Sequence, residues 1–260
     1  MARIYEYQGK QLLKTVGISI PQGRMVSIPE EAKKVAKEIG RPVAIKAQVW
    51  ATGRFKAGGI QFAETPEEAE RVTEKLLKSK IKGLAVEKVL VEERLNVDKE
   101  FYIGVIVDNS YKVKAPVLVF STEGGVDVEE VASRNPERVA RLIVRYRRGV
   151  EISDAKLLLS KVHLDSNEIS KAVCGLYEVF KRYDARVAEI NPLVSTKDGR
   201  VYAADCRITL DDNSIFRHPE FGIEVPRDME REPTELEKLA WMIEEGDFRG
   251  TGYFTQMVPE

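Results

Sequence analysis

Residues 46–59 read KAQVWATGRFKAGG, with three cations and three glycines in fourteen positions. The stretch follows the apolar run Pro42-Val43-Ala44-Ile45 and leads into a second β-type run at 59–63, so it is read as a loop joining two strands. Glycine lets backbone N–H groups turn toward an anion at close range. Lys46, Arg54 and Lys56 add charge, which makes phosphate the natural ligand. No Gly-Lys-Ser or Gly-Lys-Thr occurs in it, so it is not a Walker A loop. A surface hairpin whose cations are merely solvated is the other reading of the same residues.

Outward from the loop, helical and strand patterns alternate. Residues 6–16 carry Leu12, Leu13 and Val16 at helical spacing and close at Gly17. A second helix is opened by Ser27-Ile28-Pro29-Glu30 and ended at Gly40, with Ala32, Val35, Ala36 and Ile39 as its apolar stripe. Thr65-Pro66-Glu67-Glu68 is a capping box with proline at the first helical position, predicting a helix to about Ser79. Strands are expected over 43–48, 59–63, 84–92, 100–107 and 112–121. Asp165, with Glu168 three residues on, is expected to cap a helix in which Ile169, Val173, Leu176, Tyr177 and Phe180 recur every three or four residues. Residues 187–193, the turn Lys197-Asp198-Gly199 and residues 201–204 read as a β-hairpin. A charged helix is expected over 230–245, before the tail GDFRGTGYFTQMVPE. The sum is α+β with antiparallel strands rather than a regular βαβ chain.

The net charge of −1 over 260 residues gives no reason to expect nucleic acid. Charged residues reach 32%, above the roughly 25% of an average domain, a balance compatible with a thermophilic source. Cys174 and Cys206 have no partner at a metal-ligand spacing, and a cytoplasmic location is expected. The start MARIYEYQGKQLLK lacks the apolar core of a signal peptide, and no run of 18 apolar residues occurs, so neither export nor a membrane span is expected.

A second constellation is Glu189-Ile190-Asn191-Pro192-Leu193 with Asp205. On the hairpin, Asn191 and Asp205 lie on opposite strands, and facing oxygens there can cradle Mg²⁺, which takes a few protein oxygens plus phosphates and waters. Incidental polar residues on a hairpin are the alternative. Together with the basic loop, these residues form the two halves of a magnesium-nucleotide site. Between them, Leu90-Val91-Glu92-Glu93 ends an apolar strand and leads by a linker at 94–99 to Glu100, offering backbone groups to a base edge and carboxylates to ribose hydroxyls. A solvated strand end is the simpler reading of that pattern.

The segments EYQGKQLL, KAQVWATGRFKAGG, VLVEE, STEGGV, AEINPLV with Asp205, and IFRHPE resemble, in order and spacing, the beta subunit of succinyl-CoA synthetase over roughly residues 4–221. The resemblance implies an ATP-grasp fold: two α+β subdomains with a nucleotide cleft between them. One subdomain is expected at 1–20 with 96–227, carrying the metal-binding hairpin, and the other at 21–95, carrying the phosphate loop. It implies a nucleotide-binding subunit of an ADP- or GDP-forming acid-CoA ligase, using Mg²⁺ with ATP or GTP to phosphorylate a histidine of an alpha-type partner, which also holds coenzyme A. By that likeness Lys46 contacts the phosphates, and Gly53, Arg54 and Phe55 fall on the family's Gly-Arg-Gly. Glu92 and Leu95 fall at the base-binding strand end, Glu100 at the ribose, Asn191 and Asp205 at the metal, and Glu189 opposite the visiting phosphohistidine.

Thr52 and Phe55 stand where that family has glycine, Trp50 where it has histidine or a small residue, and Leu95 where some relatives have threonine. His163 and His218 do not match its phosphorylated histidine and are expected to be surface or structural residues. The chain stops about where the family's second domain begins, with 228–260 as a charged helix and tail toward it, so a separate chain supplying that domain is a further expected partner. An unpaired GYFTQMV strand would need covering in such an assembly. The same chemistry on citrate or malate, and a non-catalytic nucleotide-binding assembly subunit, are the alternatives.

Overall fold

The computed structural model describes residues 2–223, 233–247, 252, 254 and 256. The chain opens with α1 (Glu6–Thr15), then lays down β1 (Gly23–Val26), α2 (Pro29–Ile39), β2 (Val43–Ala47), β3 (Ile60–Ala63) and α3 (Pro66–Leu77). A small ribbon, β4 (Lys80–Ile81) with β5 (Leu84–Ala85), precedes β6 (Val89–Glu93). The strands other than the ribbon form an antiparallel sheet in the order β1-β6-β2-β3. Ala32, Val35, Ala36 and Ile39 of α2 bury their stripe against Val43, Ile45, Val89 and Val91. Thr65 caps α3 by accepting the Glu68 N–H, as its capping box predicts. The strand expected over 84–92 is interrupted: Lys82 and Gly83, both at positive φ, fold Leu84–Ala85 back onto β4, and the sheet strand β6 begins only at Val89.

After Arg94–Asn96 comes a six-stranded antiparallel sheet. Its elements are β7 (Val97–Asp108), β8 (Ala115–Ser121), α4 (Val128–Arg134), β9 (Val139–Ile143), α5 (Ile152–Ser160), α6 (Asn167–Arg182), β10 (Ala185–Thr196), β11 (Val201–Ala203) and β12 (Cys206–Leu210). The order is β11-β10-β7-β8-β9, with β12 also beside β10. The linker expected at 94–99 is therefore only three residues long, since β7 starts at Val97 to pair with Thr196. The strand expected from 112 starts at Ala115, because the Val113 and Lys114 N–H groups close a turn on the Ser110 carbonyl. Ser166, not Asp165, caps α6, accepting the Ile169 N–H at 3.3 Å.

Leu13 of α1, Leu158 and Leu159 of α5, and Val173 and Leu176 of α6 cover this sheet in one core with Ile103, Phe120, Ile190 and Leu193. Leu176 has no exposed surface, so Leu176→Ala is expected to cost about 2–5 kcal/mol in the transfer and cavity contributions together, read as a lower urea midpoint with an unchanged slope. The last described helix, α7, spans Glu235–Glu245; residues 230–232, where it was expected to begin, lie outside the described residues. Of the tail, Phe254 and Gln256 donate their N–H groups to Glu244 and Glu237; most of the expected GYFTQMV strand lies outside the described residues.

Candidate functional site

The site is assembled where α1, β2, β6 and the step between β11 and β12 meet. Strand β10 pairs with β12 through Ile190 and with β11 from Leu193, so the chain crosses from one to the other at Ala204-Asp205. That step lies opposite Asn191 and Pro192: the Asn191 N–H donates to the Asp205 carbonyl (3.0 Å) and the Ala204 N–H to the Pro192 carbonyl (3.1 Å).

Three carboxylates and three cations converge there. Lys46 Nζ lies 2.6 Å from Glu92 Oε1, 3.2 Å from Glu6 Oε1 and 2.5 Å from the Ala204 carbonyl. Lys10 Nζ reaches Glu92 Oε2 (2.6 Å), Glu6 Oε1 (2.9 Å) and the same carbonyl (2.7 Å). Arg54 donates to Glu6 Oε2 (2.6 Å) and to both carboxylate oxygens of Asp205 (2.8 Å each). Except for Asp205, which is half-buried, these groups are buried. Burial alone would raise the Glu6 pKa, but Lys10, Lys46 and Arg54 hold it well below the ordinary carboxylate range. Burial disfavours the Lys46 cation, yet Glu6, Glu92 and Asp205 keep its pKa raised and the ammonium charged.

Past β2 the loop turns on itself: the Ala57, Gly58 and Gly59 N–H groups donate to Gly53, Phe55 and Arg54 carbonyls. Gly53 takes φ +65°, open to glycine without strain. Among the described residues, the N–H groups of Gly53, Arg54, Phe55 and Lys56 have no protein acceptor, so a row of backbone donors is left for an anion. The Phe55 side chain is exposed. Trp50 anchors the loop by stacking on Tyr5 (ring centroids 4.5 Å apart) and accepting from Arg3 at its carbonyl.

The remaining candidates lie around this centre. Asn191 Oδ1 accepts the Gly125 N–H (2.7 Å) and its Nδ2 donates to the Val126 carbonyl (3.0 Å), which ties β10 to the STEGGV turn. Gly125, at φ +72°, lies so close to Glu100 that an added Cβ would sit 2.6 Å from Oε2. Burial pushes the Glu100 carboxyl up. Glu189, also raised chiefly by burial, accepts from the Tyr102 hydroxyl (3.2 Å) and lies 3.6 Å from Arg207. Leu95 lines a cavity of about 500 Å³ with Arg41, Glu93, Thr196 and Tyr202. The structure thus brings the side chains of Lys46, Arg54, Glu92 and Asp205 together, while those of Glu100, Glu189, Asn191 and Leu95 make their contacts elsewhere. Asn191 and Asp205 meet through backbone, while their side chains face different partners. Their hard oxygens suit Mg²⁺, and the two-pronged Arg54 contact marks Asp205 as a place for positive charge. Among the described residues no group of three His, Cys, Asp or Glu side chains could hold a metal by itself.

Sequence reasoning assigned no role to Glu6, Lys10 or Gln48. The available signal was the i, i+4 spacing of Glu6 and Lys10 in EYQGKQLL, which also describes a solvated helix pair. His218 is a structural residue, buried with Nε2 2.9 Å from Asp184.

Two antiparallel sheets joined by a buried cluster of three cations and three carboxylates suit an ATP-grasp protein. A profile described as "ATP-grasp domain" matches residues 3–195, and the chain belongs to that family. Within it, the chain is 43% identical to the Thermus thermophilus succinate–CoA ligase [GDP-forming] subunit beta, over 84% of this chain and 58% of that protein. It is 41% identical to the [ADP-forming] subunit beta of Methanothermobacter thermautotrophicus, over 96% of this chain and 66% of that one. The chain therefore spans about three-fifths of the length of these curated relatives. In fold it is similar to the Methanothrix soehngenii ATP citrate lyase solved with citrate and coenzyme A (TM-score 0.68, 17% identity, 95% of this chain and 60% of that chain). It is also similar to the Ca. Korarchaeum cryptofilum dinucleotide-forming acetyl-coenzyme A synthetase 1 (TM-score 0.65, 19% identity, 81% and 94%). Among the described residues no helix is long and apolar enough to cross a membrane.

Proposed function

We propose that this chain is the nucleotide-binding part of an ADP- or GDP-forming acid-CoA ligase of the succinate–CoA ligase kind. The carrying observation is that Lys46 and Arg54 meet on Glu6 while the loop that carries Arg54 leaves the N–H groups of Gly53, Arg54 and Phe55 without a protein acceptor among the described residues. On this reading the two sheets are the subdomains 21–95 and 1–20 with 96–227, and Mg-ATP or Mg-GTP lies between them. Lys46, Arg54 and the loop N–H groups take the phosphates, Leu95 and Glu92 lie toward the base and Glu100 toward the ribose. Asn191 and Asp205 hold Mg²⁺, which when bound neutralises charge on the transferring group. To hold the metal, Asp205 would have to give up its contact with Arg54. Glu189 faces the histidine of an alpha-type partner, and a chain or segment with the relatives' remaining length completes the thioester-forming complex.

Calorimetric titration with Mg-ATP and Mg-GTP tests the reading. Saturable binding that needs Mg²⁺ and disappears in Asp205→Ala is the expected result. No binding of either nucleotide by folded protein would overturn it.

A further inference from the structure

We propose that Glu6 is a positioning residue for phosphate recognition, fixing the head groups of Lys46 and Arg54 before a nucleotide arrives. The proposal rests on the reading of those two cations as phosphate-facing. Lys46 comes from β2 and Arg54 from the loop after it, each on a long side chain that would lose rotamer freedom if a ligand had to immobilise it. One carboxylate on α1 has already done so. Glu6 Oε1 holds Lys46 and Lys10, and Oε2 holds Arg54 (2.6 Å) and Gln48 Nε2 (3.2 Å), so all four contacts of a carboxylate are used.

The surroundings make this arrangement specific. The Tyr7 N–H donates to Gln48 Oε1 (3.1 Å), which fixes the amide so that its NH₂ faces Glu6. Lys10 and Lys46 share the Ala204 carbonyl, the residue before Asp205, so the cations anchored on Glu6 are registered against the metal-side hairpin. With its carboxylate oxygens taken by Lys46, Lys10, Arg54 and Gln48 and its charge of the same sign as a phosphate, Glu6 acts through the cations.

The test compares a nucleotide with its nucleoside on the full chain. Binding of Mg-ATP and of adenosine (or Mg-GTP and guanosine, if GTP binds tighter) is measured for the parent, Glu6→Gln and Glu6→Asp. Glu6→Gln keeps the shape but removes the charge that orients two cations, and should weaken nucleotide binding about tenfold while leaving nucleoside affinity unchanged. Glu6→Asp, with its carboxylate withdrawn by one methylene, should show a smaller loss of the same kind. A merely structural role would lower both affinities alike by reducing the folded fraction, and that outcome overturns the proposal. So does an unchanged nucleotide-to-nucleoside ratio in a Glu6 variant when Lys46→Met abolishes phosphate binding. If Glu6→Gln does not fold, Glu6→Asp reads the same ratio. A parent that binds no nucleotide would instead sink the phosphate reading of Lys46 and Arg54.

Discussion

Lys10→Met is expected to lower the unfolding free energy by about 3–5 kcal/mol, the range for removing one partner from a buried ion pair. Methionine keeps nearly the length and volume of lysine, so little of the loss would come from packing. Lys10 is 2% exposed and bridges Glu6 and Glu92, two carboxylates whose mutual repulsion it offsets. Without it, Lys46 alone would bridge both. Urea denaturation at neutral pH measures the effect; a loss below about 0.5 kcal/mol, the level of an ordinary surface substitution, would mean that the network adds no stability.

Acid adds a second signature. Glu6 titrates lower in the folded than in the unfolded chain. Its contribution is therefore complete above the ordinary glutamate value of about 4.3 and is lost as the pH falls through the lower folded value. In Lys10→Met one of the three cations that depress Glu6 is gone, so its folded pKa rises toward the unfolded value, and the acid-induced loss should be smaller and finish at higher pH than in the parent.

Lys46→Met should weaken Mg-nucleotide binding by about 2–5 kcal/mol, roughly 30-fold or more, because it deletes a charge-assisted donor from a desolvated cluster. The buried Lys46 ammonium makes three contacts, so no neighbouring cation can swing into its place: Lys10 is committed to the same carboxylates and Arg54 to Glu6 and Asp205. Titration calorimetry reads the loss, with circular dichroism establishing that the variant is folded. Undiminished affinity in folded protein would remove Lys46 from the phosphate site.

Much of this arrangement was legible from periodicity. The helices with Ala32, Val35, Ala36 and Ile39, and with Ile169, Val173, Leu176 and Phe180, announce themselves because one face is buried and the other is not. The β10–β11 hairpin is legible for another reason: Lys197-Asp198-Gly199 supplies turn chemistry, and Gly199 does take φ +82°. Short elements between residues 126 and 164 were not foreseen, since α4 and β9 place too few residues in the core to leave a periodic trace. β12 was also missed; its identity as a strand comes from pairing with β10, a long-range fact. The site divides in the same way. Lys46, Arg54 and Asp205 were picked out by charge beside glycine and by the hairpin. Glu6 and Lys10, on an apparently ordinary amphipathic helix, became recognisable only once folding had carried α1 against β2 and β6.

The brevity of the Arg94–Asn96 connection limits how far the two sheets can move apart. Three residues span at most about 10–11 Å when fully extended, and β7 is already paired to Thr196 at its first residue. The two sheets cannot drift apart as free bodies, because the chain also crosses between them from α1 to β1. Leu95, inside that three-residue connection, would move little relative to either sheet. A spectroscopic label at position 95 would therefore report little of any relative motion of the sheets.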